Sequence, residues 1–591
     1  MPSRPRTRFI ARACWAGLLV LAAAGCGDET KLNPGGGAAS TGRVRPISGG
    51  RLVVALGAAP QTLNPILGSD RPSTEIIRRT TADLIHINRY SQAVEPALSE
   101  SWTLSEDGRR FVLQLRRGIK FSDGEPFDAD DVVFSFQVIQ DKALGSPIRG
   151  LLVLDDEPIK VRKIDSHTVE FELSRPRAVG ARLFDSVPML PRHLLEASYE
   201  RGTLPESWRL DTPPEQIAGL GPFRFKSYAP AHQLVLERNP HYWKTDSDGA
   251  PLPYLDELVF VFTPSQDTQV LRFQGGDIDA ANDLKASDFA ILEAGQEARG
   301  YRLFDLGAGL EFNFLFFNLN PPAQGQAELT VKKTWFRNKS FRQAISAAVD
   351  REAIARLVFQ GRATPIWSYV SPGNKAWFHA DLPRPARSLE QARKLLLSAG
   401  FGWKDEALID ANGVPVALTL ITNSNNSERV QMMTIIQEDL RELGMKVQVV
   451  PLEFRALLAR ILETKDYEIC ILGLGGGDVD PNPLMNVLLS SGDIHLWNPR
   501  QSVPATPWEA EIDRLMTEQA TVLVYEERKA LNDRVQELIA DQLPMVPLVS
   551  PNILVGAKSN LGNFKPAILD HHTLWNVEEL FWTANEPPLD Q

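Results

Sequence analysis

Five carboxylates fall within nine positions of the segment FSDGEPFDADDVVFSF (121–136): Asp123, Glu125, Asp128, Asp130 and Asp131. Carboxylates at this density can ligate a hard cation or work as a general acid–base pair. A calcium loop would place oxygen ligands at alternate positions and close on a glutamate, and the DxDxDG pattern is absent. Asp123-Gly124 and Glu125-Pro126 are turn dipeptides, and Asp128 stands at the N-cap position of an apolar stretch. Asp130 and Asp131 fall in the first turn, where the positive end of a helix stabilises a carboxylate by roughly 0.3–1 kcal/mol. The cluster therefore reads as the end of one element and the start of a helix.

Other chemistry is sparse. No GxSxG, HExxH, GxxxxGK or CxxC occurs. Gly473-Leu474-Gly475-Gly476-Gly477-Asp478 follows the strand-like YEICIL as a dinucleotide loop would, but the third glycine is misplaced and DPNP follows where a helix should open. His571-His572 beside Asp570 offer ligand atoms, yet adjacent side chains rarely converge unaided, so a surface pair is expected. No metal, cofactor or catalytic residue is implied. An exported hydrolase using paired carboxylates stays open as a reading, with no recognised nucleophile or metal motif to support it.

The elements that must position any site come next. At 591 residues the chain needs two or three lobes. A net charge of −11 argues against a nucleic-acid partner, which requires a concentrated positive surface. RLVVALG (51–57) reads as a strand, and RRFVLQLRRG (109–118) alternates, with Phe111, Leu113 and Leu115 on one face. HTVEFELS (167–174) and HQLVLER (232–238) alternate as well. Ser388–Ala399 opens with Ser388 and Gln391 in capping-box spacing and stops at Gly400. In 416–450, the strand VALTLIT, a helix Glu428–Leu443 ended by Gly444, and the strand MKVQVV make a parallel pair with a crossover. Ligands bind beyond the carboxyl ends of such strands, where Asn423, Ser424, Asn425 and Asn426 lie. That polar run is either a ligand contact or a solvated loop capping the helix.

The N-terminus carries Arg4, Arg6, Arg8 and Arg12 ahead of the short apolar run CWAGLLVLAAAG, the pattern of an export signal. Ala23-Ala24-Gly25-Cys26 resembles the lipobox of bacterial lipoproteins, which implies a signal over 1–25, lipid on Cys26 and a membrane anchor. Residues 26–50 then read as a flexible tether. Cys470 is the one cysteine left, so no disulfide framework is expected within the mature chain.

The run VEPALSESWTLSEDGRRFVLQLRRGIKFSDGEPFDADDVVFSFQ strongly resembles the signature of the family 5 extracellular solute-binding proteins, the peptide-binding components of ABC importers. LVVALGAAPQTLNP, IAGLGPFRFKSY with LERNPHYW, FRQAISAAVDREAIARLVFQGRATP and ERKALNDRVQELIADQLPMVPL resemble further elements of that family, in order along the chain. The resemblance implies an α/β fold of the type II periplasmic-binding-protein kind: two main lobes with a hinge and an extra small α+β lobe. Lobe I would comprise 51–92, 219–308 and 527–591, lobe II 93–218, and lobe III 309–526. It further implies a periplasmic or cell-envelope monomer that passes peptides to permease subunits and their ATPases. A non-peptide solute such as a metal chelate, haem or an opine-like compound is the alternative ligand, and a sensor or holdase role without a permease is a third reading.

In that family an aspartate after a strand of the third lobe pairs with the peptide ammonium. Asp478 is the nearest match, with Asp480 next and Gly476 and Gly477 alongside; an ungapped match sets Gly477 at the aspartate's position. Trp497, next to Asn498, would pack on ligand or lie in the core. Ser69 and Asp70 would contact ligand from the first lobe or form a surface loop.

Overall fold

The structure is a computed structural model and describes residues 46–154, 157–321, 327–475 and 479–583. Its spine is a twelve-stranded sheet. On one side lie Phe223–Ala229, Gln233–Arg238, Glu257–Phe262, Arg51–Leu56 and Ala280–Ala281; on the other lie Phe312–Phe317, Ile469–Leu474, Ala417–Asn423 and Lys446–Leu452. Between them runs Met545–Lys558, fourteen residues long. Its first half pairs with Phe312–Phe317 and Ala363–Pro365, its second with Tyr301–Ala308 and Ala280–Ala281.

One strand thus serves both halves of the sheet, and its residues show where they meet. Pro547 and Pro551 have no N–H to give a ladder, and the register slips between Val549 and Pro547. The fully buried Ser550 fills the junction, its Oγ 2.7 Å from Glu311 O and 3.1 Å from Gly309 O. A second crossing of the junction is made by Gly309–Glu311, which link Tyr301–Ala308 to Phe312–Phe317.

There are two large hydrophobic cores. One gathers most of the apolar residues between Leu52 and Phe262 with Val555, Leu561, Leu580 and Trp582; the other centres on Phe312–Phe317, the crossover unit 417–452 and the strand Ile469–Leu474, and extends across the junction to Phe273, Phe289 and Tyr301. The crossover unit has the expected form: Ala417–Asn423 pairs in parallel with Lys446–Leu452 around the helix Ser427–Arg441. Met433, Ile436, Leu440 and Leu443 are buried. At Gly444 (φ +82°) a Cβ would collide with Glu406 O, so the turn needs glycine.

A separate four-stranded sheet, Ser99–Leu104, Arg110–Leu115, Thr168–Glu172 and Lys160–Asp165, is covered by the helix Ala129–Gln140. Here the acidic run is resolved into single tasks. Asp128 caps the helix, accepting from Asp130 N (2.8 Å), and Asp131 accepts in return from Asp128 N (3.0 Å). A cap of this kind stabilises by about 1 kcal/mol. Asp130 pairs with Lys163 (2.6 Å) and Asp123 with His193 Nε2 (2.7 Å).

The described body begins ahead of Arg51, where the sequence sets its start. Ile47 bridges to Trp582, and Gly49 N–H donates to Tyr254 O (2.8 Å). The signal region, Cys26 and 26–45 lie outside the described residues.

Candidate functional site

A cleft of about 790 Å³ opens where the two halves of the sheet face each other. One wall comes from the strand end Leu56–Ala58, the start of the helix Arg71–Thr80 and the segment Ala280–Ala286; the other from Glu311, Asn313 and Asn425–Glu428. Pro551–Leu554 of the shared strand form its floor. Both walls are strand ends and helix starts, the usual place for a ligand in an α/β sheet.

The second wall is built around Arg429. Its Nε donates to Asn313 Oδ1 (2.9 Å), Nη1 to Asn423 Oδ1 (3.3 Å) and Nη2 to Glu311 Oε1 (3.1 Å). Burial lowers the guanidinium's pKa, and Glu311 works against that. A Cβ on Gly473 would collide with Arg429 Nη2, so this glycine of the GLGGGD run makes room for the arginine. At Gly475 a Cβ would meet nothing within 4 Å.

On the first wall, Glu75 is 3% exposed. It accepts from Arg79 Nη2 (3.1 Å) and lies 2.7 Å from His571 Nδ1. Burial alone would raise this carboxyl, but His571 and Arg79 outweigh it and hold Glu75 ionised. Burial and the neighbouring Arg78 and Arg79 push His571 down to about 4, so near neutral pH it is a neutral ring donating Nδ1–H to Glu75. The expectation of a surface histidine pair was wrong: His571 and His572 are 4% and 8% exposed, and the partner that buries His571 is 496 positions away.

Most charges lining the cleft are already matched: Arg71 with Asp283 (2.5 Å), Arg362 with Glu293 (2.8 Å), Glu311 with Arg429. Lys285 on the first wall and Glu428 on the second form no salt bridge among the described residues. The rest of the polar lining is Ser427 and seven amides: Gln266, Gln269, Asn282, Asn313, Asn425, Asn426 and Asn552. Among the described residues it contains no His, Cys, Met, Tyr or Trp.

The residues singled out from sequence divide. Asn425 lines the cleft, Asn423 is buried behind it holding Arg429 and Asn425 (2.6 Å), and Ser424 points to solvent. Asn426 both lines the cleft and caps its helix. Asp70 caps the helix Arg71–Thr80 through Ser73 N (2.9 Å), and Ser69 is exposed outside the lining. Trp497 is fully buried, with Nε1 3.3 Å from Glu509, so its place is the core. Asp480 is 5% exposed, and Arg528 takes both its oxygens (2.6 and 2.8 Å). Gly476, Gly477 and Asp478 lie outside the described residues. Asn313 was missed, although it left a signal: it is one of the few polar residues in the apolar run FNFLFFN. Among the described residues Asp83, His86 and Asp185 bring three potential metal-ligand atoms within 4.8 Å, but Arg89 already holds Asp185 through two hydrogen bonds.

Two sheet halves joined through a shared strand, with a solute-sized cleft between them, define a type II periplasmic binding protein. Residues 93–495 match the family described as bacterial extracellular solute-binding proteins, family 5 (middle region), and the chain belongs to that family. It is a family of binding proteins, not enzymes, acting in the periplasm or outside the cell. The chain is similar to a probable ABC transporter-binding protein of Deinococcus radiodurans, at 27% identity over 83% of this chain and 85% of the other. It is also similar to the oligopeptide-binding protein AppA of Bacillus subtilis (25%; 91% and 93%) and heme-binding protein A of Haemophilus influenzae (26%; 79% and 80%). In fold it resembles the ABC transporter substrate-binding protein CtaP of Listeria monocytogenes, with a TM-score of 0.74, 24% identity, and coverage of 91% of this chain and 100% of that one. No helix among the described residues is long and apolar enough to cross a membrane.

Proposed function

We propose that the protein is the substrate-binding component of an ABC importer, that it captures short peptides in the cleft, and that a lipid on Cys26 holds it at the membrane. The observation that carries the peptide reading is the cleft's lining. Haem needs an axial His, Cys, Met or Tyr, and soft metals favour His or Cys; the described lining offers none of these. Seven amide side chains suit the alternating donors and acceptors of a peptide backbone, and Lys285 and Glu428, of opposite sign on opposite walls, suit a zwitterion. A volume of about 790 Å³ falls in the range of small-ligand sites.

Capture would close the cleft by rotation about the two crossings at Gly309–Glu311 and Ser550. The sheet pairing fits a lobe I of 51–92, 219–308 and the C-terminal segment from the second half of the shared strand onward, a lobe II of 93–218 and a lobe III of 309–526. The helix Tyr525–Gln542 and the first half of the shared strand go with lobe III, since Arg528 pairs with Asp480, Arg342 donates to Gln542 O and Gln536 to Trp377 O. Native mass spectrometry of protein purified without denaturation tests the ligand. A ladder of co-purified peptide masses is expected; a single defined non-peptide mass would overturn the peptide reading while leaving the transport role.

A further inference from the structure

A second cavity of about 270 Å³ lies away from the cleft, between the helix Arg71–Thr80, the region of the four-stranded sheet and the segment 571–578. Glu75, His571 and Leu574 form the partition: Glu75 lines the cleft, His571 the second cavity and Leu574 both. In a chain of net charge −11, this cavity is lined by four cations, Arg78, Arg79, Arg89 and Lys244, against two carboxylates, Asp83 and Glu578.

The cations differ in how they are matched. Arg79 holds Glu75, Arg89 holds Asp185, and Lys244 holds Glu578 at 2.9 Å. Arg78 has no hydrogen bond or ion pair among the described residues, and its charge acts on both Arg79 and His571. Arg79 Nε and His571 Nε2 are also buried without a partner. A carboxylate beside Arg78 would supply the missing counter-charge. Thr74, Thr81, His86 and Ser186 add polar atoms to the lining, and Ile77, Ile148, Leu151, Trp243 and Trp575 give it an apolar and aromatic side.

We propose that this cavity is a second binding site, for a small organic anion with one carboxylate and an apolar or aromatic body. Arg78 faces the carboxylate, and Trp243 and Leu151 flank the body. The volume, just under the usual 300–1,000 Å³ of ligand pockets, limits the occupant to metabolite size.

Benzoate is the probe, and calorimetric titration of the purified protein is the assay, with inorganic phosphate in a parallel titration. Saturable one-to-one benzoate binding is expected, at least tenfold weaker in Arg78→Gln and in Leu151→Trp, which fills the cavity from a different element. Both side chains lack structural hydrogen bonds, and an unchanged thermal unfolding midpoint shows that each variant is folded. Equal benzoate affinity in the wild type and both variants, or no binding at millimolar benzoate, would overturn the site. Loss of benzoate binding in Asn313→Trp, which fills the cleft, would put it in the cleft instead and overturn the second site. Phosphate binding as tightly as benzoate would overturn the assigned ligand class.

Discussion

Gly473→Ala tests how the cleft wall is built. The backbone at 473 is ordinary, so the added methyl acts only through space, and what it strikes is the guanidinium of Arg429. That group is the end of a flexible side chain and can move, but moving it breaks hydrogen bonds to Asn313, Asn423 and Glu311. Hydrogen bonds to a charged group contribute about 1.5–3 kcal/mol, and part of that returns when the freed guanidinium meets water in the cleft. The expected loss is about 1–3 kcal/mol, read as a lower urea midpoint at unchanged slope. Gly475→Ala, where the methyl meets open space, should stay within about 0.5 kcal/mol of wild type. In an Arg429→Ala background the collision disappears, so Gly473→Ala should then cost almost nothing. If the 473 and 475 variants lose the same stability, or if the 473 and 429 losses simply add, the glycine does not serve the arginine.

Four further outcomes are expected. Asp480→Ala leaves Arg528 buried without its counter-charge and should cost about 3–5 kcal/mol; a near-neutral result in denaturant titration would remove the ion pair as the anchor of that segment. His571 binds its proton more weakly folded (about 4) than unfolded (about 6.5), so the unfolded chain gains a proton first as pH falls. The share of stability that rests on His571 should drop by about 1.6 kcal/mol between pH 6.5 and 5, while Asp131 and Asp439, raised to about 6 by burial, act the other way, so the measure is the wild-type slope minus that of His571→Gln. If Asp478 pairs with a ligand ammonium, Asp478→Asn should weaken peptide binding by about 2–5 kcal/mol in calorimetry, and unchanged affinity would end that role. Cys26→Ser should move the protein from the membrane fraction to the soluble one; persistent anchoring would exclude lipid at Cys26.

What could be read in advance depended on how local its cause was. The strand–helix–strand unit of 417–452 was legible because apolar spacing, the Asn426 cap and the Gly444 stop all act within a few residues. The acidic run was legible for the same reason, since Asp128 and Asp131 satisfy each other's backbone. The cleft was not. Its walls join Leu56, Ala281, Glu311, Asn425 and Pro551, which no window along the chain contains. His571 was misjudged because its environment is set by Glu75 at the far end of the sequence, and Asp480 because Arg528, 48 positions on, takes its carboxylate. Trp497 illustrates the ambiguity of an isolated aromatic, which only its neighbours Glu509 and His495 settle.

The strand Met545–Lys558 has a consequence for how the chain is made. It sits in the middle of the sheet, yet it is synthesised after every other strand of that sheet. Until it arrives, Phe312–Phe317 has a neighbour on one side only, and Tyr301–Ala308 has no partner at all. Each half can pair its own earlier strands, but the contacts that join the halves through this strand span hundreds of residues, the kind that form slowly. A truncation before residue 545 should therefore deprive both halves of their centre at once rather than trim one of them.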